Sequence, residues 1–260
     1  AQLGRRIQMW IDHHQLFRPI TKASFALRPG SIASTLKEAL AIALAEPPGP
    51  VHLDLPEDVA LAEATEVVPA LSEPLARPIA DDAAITRVYA RLRQAKRPIA
   101  VIGANAMRMR DVATLRAFVE RHDTPFASTT MAKGLIDESH PLSIGCIERS
   151  KRKVQRALLQ SADLIVGLGY DTIEVEYEAW IGKVPLAHVD IEHADVDASV
   201  IVADELIGDL DASIAALARL PAAPNAWTAA AIKAHREAEK HIGVPADQLI
   251  RLPANMADRE

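Results

Sequence analysis

The sequence has a single cysteine, Cys146, so no intrachain disulfide forms and a cysteine-based zinc site is not expected. That cysteine use suits a reducing, cytoplasmic setting. Aromatic residues are only 4% of the chain. No apolar run approaches the roughly 18 residues that a membrane span needs. Basic charge is also short: Lys plus Arg is 29 against 35 Asp plus Glu, a net charge of −6. A nucleic-acid partner, which asks for a basic face, is therefore not expected. There is no Gly-x-Ser-x-Gly nucleophile turn and no Gly-Asp-Gly triplet. The histidines show no i, i+4 pair, since His13 and His14 are adjacent and His235 and His241 lie six apart. No metal ligands and no catalytic residues are assigned.

What is present is 260 residues, 49% of them hydrophobic, enough for one or two domains with a substantial core. Residues 31–46 read as a helix with Ser31 as N-cap and Ile32, Leu36, Ala39, Leu40, Ala43 and Leu44 on one face. Pro47 and Pro48 stop it, and Val51–Leu55 reads as a strand. Residues 58–80, with Pro69, Pro74 and Pro78, read as a linker.

Helices are then expected over 82–95, 111–122 (Val112, Leu115, Phe118 and Val119 inward), 151–161 and 209–220. Strands are expected at 99–102, 125–128, 164–168, 184–191 and 200–203. Strand–helix alternation of this kind implies an α/β protein with a doubly wound parallel sheet. From Pro221 to 260 the expectation is a loosely attached tail with one helix, 226–242. The start at Ala1 rather than Met is read as a sign of processing or truncation.

Candidate site residues come from strand ends, where ligands of open α/β sheets bind. Gly103-Ala104-Asn105 follows one strand, and small residues there let backbone amides approach a pyrophosphate. A plain tight turn explains the same residues. Gly169 and Asp171 follow another strand, and Asp190 ends a third, where an acid binds ribose hydroxyls or caps the next segment. Glu148–Lys153 is a basic run that suits a phosphate or a solvated face. Cys146, after Gly145 in an expected loop, reads as a small packing residue, and Glu174–Glu178 as an exposed edge or helix start.

Two segments carry a family resemblance. Leu16-Phe17-Arg18-Pro19-Ile20-Thr21-Lys22 with Gly49-Pro50-Val51-His52-Leu53-Asp54-Leu55-Pro56-Glu57-Asp58-Val59 resembles the end of the pyrimidine-binding domain of thiamine-diphosphate enzymes of the acetolactate synthase type. Met9 stands where that family usually has Gln. Arg97–Gly103, Lys133-Gly134 with His140-Pro141-Leu142, Ala162–Gly167, Asp190-Ile191 and Gly208-Asp209 resemble its central, Rossmann-like domain. The resemblance covers residues 7–220.

It implies residues 1–57 as part of the pyrimidine domain, 58–80 as linker, 81–220 as central domain and 221–260 as the way toward a diphosphate-binding domain. It implies a carboligase or decarboxylase of 2-oxo acids using thiamine diphosphate and magnesium, assembled as a homodimer or homotetramer. The family's catalytic glutamate and its Gly-Asp-Gly metal motif have no counterpart here, so the chain is expected to be an inactive fragment of a longer enzyme. Flavin-binding relatives carry arginine where Tyr170 stands, which puts FAD in doubt. Lys22 and Lys133 are implied at the substrate entrance. A stand-alone nucleotide-binding module and a purely structural domain are the alternatives.

Overall fold

The structure is a computed structural model and describes residues 11–64, 66–67, 69–70, 77–170, 174 and 180–240. The chain divides between residues 76 and 77 into two compact units.

In the first unit, β1 (Ala23–Ala26) and β2 (Val51–Asp54) pair in parallel, Ala23 opposite Val51 and Ala26 opposite Asp54. The helix α2 (Ile32–Leu44) connects them, with α1 (His13–Phe17) before and α3 (Glu57–Ala60) after. β1 is invisible to periodicity because Ala-Ser-Phe-Ala is short and holds one good strand former. Ser31 does stand at the N-cap of α2, but its hydroxyl donates back to the Arg28 carbonyl. The cap comes instead from Glu66, whose two carboxylate oxygens accept from the Ile32 and Ala33 N–H groups at 3.0 and 2.7 Å. Those bonds, Ala33 first, hold the Glu66 carboxyl below its ordinary value. A segment read as linker thus supplies the cap. The α2 face has the expected spacing, yet only Ala39 on it is buried, while Leu36, Leu40 and Leu44 are exposed.

The second unit holds a parallel sheet in the order β5-β4-β3-β6-β7-β8. Its strands are β3 (Pro98–Ile102), β4 (Phe126–Thr129), β5 (Ser143–Ile147), β6 (Leu164–Leu168), β7 (Leu186–Asp190) and β8 (Val202–Ile207). Numbered within the unit this is 3-2-1-4-5-6, the doubly wound arrangement, which reverses direction between β3 and β6. Side chains alternate across the sheet. Ala100, Ile102, Val166, Leu168, Ala187 and Val189 pack with α4 (Asp82–Gln94), α5 (Ala113–Arg121) and α7 (Leu210–Arg219) through Val88, Leu92, Leu115, Phe118, Ile214 and Leu217. Ile99, Val101, Ile165 and Leu186 pack on the other face with Trp180, Ile181, Leu159 of α6 (Arg152–Leu159) and Ile232 of α8 (Ala229–Lys240). Val112 departs from the expectation. It precedes the first turn of α5 and is exposed.

Cys146 is in β5, not in a loop, and burial pushes its thiol up. Three residues of β4 (Phe126 to Ser128) lie opposite four of β5 (Ser143 to Cys146), a bulge that includes Gly145, whose φ is +88°. The bulge hides the strand from a period-2 reading. Gly145 also leaves room for the Glu239 carboxylate of α8: a Cβ there would lie 2.6 Å from its Oε2.

The loose tail expected from Pro221 is corrected for residues 221–240, which are laid against the second unit. Ala226 N donates to Lys96 O at 2.6 Å and the Trp227 indole N–H to Pro98 O at 2.7 Å. The Arg97 guanidinium sits 4.3 Å from the Trp227 ring centroid. Ala223 N donates to Nδ1 of His122, so that imidazole carries its proton on Nε2 and donates to Leu217 O. Polar anchors between apolar residues are easily read as solvated sequence.

Two outcomes follow for stability. Trp227→Ala should cost about 3–5 kcal/mol in urea unfolding, as for a buried aromatic in a core; an unchanged midpoint would detach this segment. Burial holds the His122, His188 and His235 imidazolium forms below their ordinary 6.5. The unfolded chain therefore binds protons first, and stability should fall as pH drops below 6.5 through the lower folded values. Glu239 acts in the opposite sense, because burial raises its carboxyl and protonation relieves that cost. With histidines dominating, the melting temperature followed by tryptophan fluorescence should decline from pH 7.5 to pH 5.5; a flat profile would contradict neutral buried imidazoles.

Candidate functional site

The sheet reversal between β3 and β6 is the place where an open α/β sheet opens a crevice at its carboxyl ends. Gly103 and Gly169 leave the two strands side by side. Gly103 N donates to Leu168 O at 3.0 Å and Asn105 N to Gly169 O at 2.9 Å. A Cβ on Gly103 would lie 2.4 Å from the Tyr170 Cα. Gly169 has φ +63°, and a Cβ on it would lie 2.4 Å from Ala106 N. Each glycine is required by the approach of the other turn.

Asn105 reaches across the crevice. Its Nδ2 donates to Asp190 Oδ1 at 3.1 Å, and Ile191 N donates to the same oxygen at 2.6 Å. Asp190 is 1% exposed at the end of β7. Two residues earlier, His188 is buried with Nε2 hydrogen-bonded to Glu192 O, and burial keeps its imidazole neutral at neutral pH. Gly103, Ala104 and Asn105 from one turn, Gly169 from a second and Asp190 from a third strand end therefore converge on one place. Asp171 lies outside the described residues.

Sequence reasoning missed three residues around this place. Glu174 Oε1 accepts from Ala104 N at 2.6 Å, and its Oε2 accepts from the Thr129 hydroxyl at the end of β4. Glu174 belongs to an alternating acid run that reads as an edge, so nothing local marks it. Thr129 carried one signal, a hydroxyl at a strand's carboxyl end. Arg110 donates through Nη2 to both Asp209 oxygens at 3.0 Å and through Nε to Asp211 at 3.3 Å. It ties the segment after the β3 turn to α7, whose N-cap is Asp209.

The remaining candidates stand elsewhere. Lys22 is in the first unit, where Nζ donates to the Ala45 and Pro47 carbonyls at 2.7 and 2.9 Å, closing the end of α2. Lys133 follows β4, is exposed, and pairs with Glu138 at 3.6 Å. The basic run lines a surface hollow of about 630 Å³ with Arg149, Arg152, Lys153 and Arg156. Lys151 instead pairs with Glu148 at 3.3 Å, and the Arg156 guanidinium lies 5.6 Å from the Trp180 ring.

Comparison with known proteins agrees with this architecture. Residues 85–217 match the family described as "Thiamine pyrophosphate enzyme, central domain". The chain is 30% identical to the acetolactate synthase isozyme 1 large subunit of Escherichia coli K12, over 75% of this chain and 35% of that protein. It is 30% identical to the acetolactate synthase of Bacillus subtilis, over 81% of this chain and 38% of that one. It is 25% identical to the oxalyl-CoA decarboxylase of Escherichia coli K12, over 78% and 36%. The chain thus spans 35–38% of the length of these relatives. An X-ray structure described as a thiamin diphosphate-dependent enzyme from Mycobacterium smegmatis superposes with a TM-score of 0.63 at 24% identity, over 82% of this chain and 42% of that chain, and shows the shared fold. Sheet order and sequence match coincide over the second unit, and the chain belongs to the thiamine pyrophosphate enzyme family, of which it carries the central domain.

Proposed function

We propose that this chain is part of a thiamine-diphosphate-dependent carboligase or decarboxylase acting on a 2-oxo acid. Its second unit serves as the central domain and its first as the closing portion of the pyrimidine-binding domain. The observation that carries the reading is the family match over 85–217 together with acetolactate synthase relatives of which the chain spans about a third. When bound, thiamine diphosphate supplies the electron sink for such chemistry.

The described residues do not fit the cofactor's magnesium: among them no group of three His, Cys, Asp or Glu side chains is placed to hold a metal ion. We place the magnesium site on parts of the enzyme other than these residues. The role left to this chain is to brace and position. Gly103, Ala104, Asn105, Gly169 and Asp190 form the crevice. Lys133 stays exposed for the substrate entrance, whereas the Lys22 ammonium is engaged by the α2 carbonyls. Assembly as a homodimer or homotetramer and a cytoplasmic location belong to the same proposal. No helix among the described residues is long and apolar enough to cross a membrane.

The purified 260-residue chain, supplied with pyruvate, thiamine diphosphate and magnesium, should release no carbon dioxide. A protein of the relatives' length containing it should release it. Decarboxylation by the 260-residue chain alone would overturn the reading of an incomplete enzyme. An immunoblot of the source lysate showing only a band of this chain's size would overturn it as well.

A further inference from the structure

The crevice between β3 and β6 has the position of a dinucleotide seat, but its donors are already engaged. Two hydrogen-bond donors converge there from different strand ends, the Ala104 N–H after β3 and the Thr129 hydroxyl at the end of β4. Each binds one oxygen of the same carboxylate, that of Glu174. Gly103 makes room for that carboxylate, since a Cβ there would stand 2.7 Å from Glu174 Oε1. A small residue after the first strand is what a close-packed phosphate would ask for. Here it admits a side chain of the protein.

A phosphate and a carboxylate present the same chemistry to these donors, negatively charged oxygens accepting from N–H and O–H groups. The donors cannot serve both, and the two anions repel each other at contact distance. Asp190, joined to the same turn through Asn105, adds acidic character to the neighbouring strand end. The Gly103 and Gly169 turns are tied to each other by the Asn105 N–H bond to Gly169 O, and neither has space for a Cβ.

We infer that Glu174 is the specificity-determining residue of this crevice: its carboxylate holds the place of a phosphate and excludes nucleoside diphosphates, ADP and the ADP half of FAD included. The inference stands on the second unit alone and is independent of the 2-oxo acid reading. Removing the carboxylate leaves two donors and a glycine cradle facing an anion-sized space.

Calorimetric titration of the 260-residue chain with inorganic pyrophosphate and with ADP tests this. Wild type should show no saturable binding of either. Glu174→Ala should bind both, at least about tenfold to a hundredfold tighter than wild type, the worth of a charge-assisted hydrogen bond regained by the ligand. Should that variant fold poorly, Glu174→Ser, too short to span the crevice, is read by thermal protection: pyrophosphate should raise its melting temperature and leave that of wild type unmoved. Saturable binding by wild type as tight as by either variant would overturn the inference. So would folded variants that take neither pyrophosphate nor ADP.

Discussion

The close approach of two backbone turns, after β3 and after β6, is the constraint on which the second unit depends. These strands are hydrogen-bonded along their whole length, from Pro98 opposite Leu164 to Ile102 opposite Leu168. They diverge only because the sheet continues to β4 on one side and to β7 on the other. At the divergence the chain has no space for a side chain at Gly103 or Gly169. The position of Asn105 against Asp190 and the narrowness of the crevice follow from that contact.

The two units differ in how their apolar residues are used. In the second, β3, β6 and β7 are buried throughout, and helices cover both faces. In the first, a helix with correct amphipathic spacing leaves Leu36, Leu40 and Leu44 exposed, and its two short strands bury little. Polar contacts hold it instead: Glu66 at the start of α2, Lys22 at its end, and Ser24 hydrogen-bonded to His14 and to His52, on which Phe17 stacks. Such bonds are directional and contribute modestly each, whereas apolar burial grows with area.

Polar anchoring also explains the segment after Pro221. Its residues carry no strong periodic signal, yet Ala223, Ala226 and Trp227 bond to His122, Lys96 and Pro98, all far away in sequence. A partner about a hundred residues distant leaves no local trace. The same holds for Glu174, whose partners Ala104 and Thr129 come from two other strand ends, and for Glu66, which caps a helix that Ser31 was placed to cap.

The sequence by itself determined the features that short-range physics controls. Helices α4 and α7 and the buried strands β3, β6 and β7 have periods and breakers that single segments display. Glycine at 103 and 169 marked two of the turns, and Asp190 marked a strand end. The motifs of 16–22 and 49–59 and of the central region carried the family resemblance. Tertiary structure alone decided what depends on who meets whom: the bulge at Gly145, the docking of residues 221–240, the exposure of the α2 face and the carboxylate in the crevice. Hydrogen-bond partners and packing neighbours are set by the sheet order, and sheet order is a global property that no local window contains.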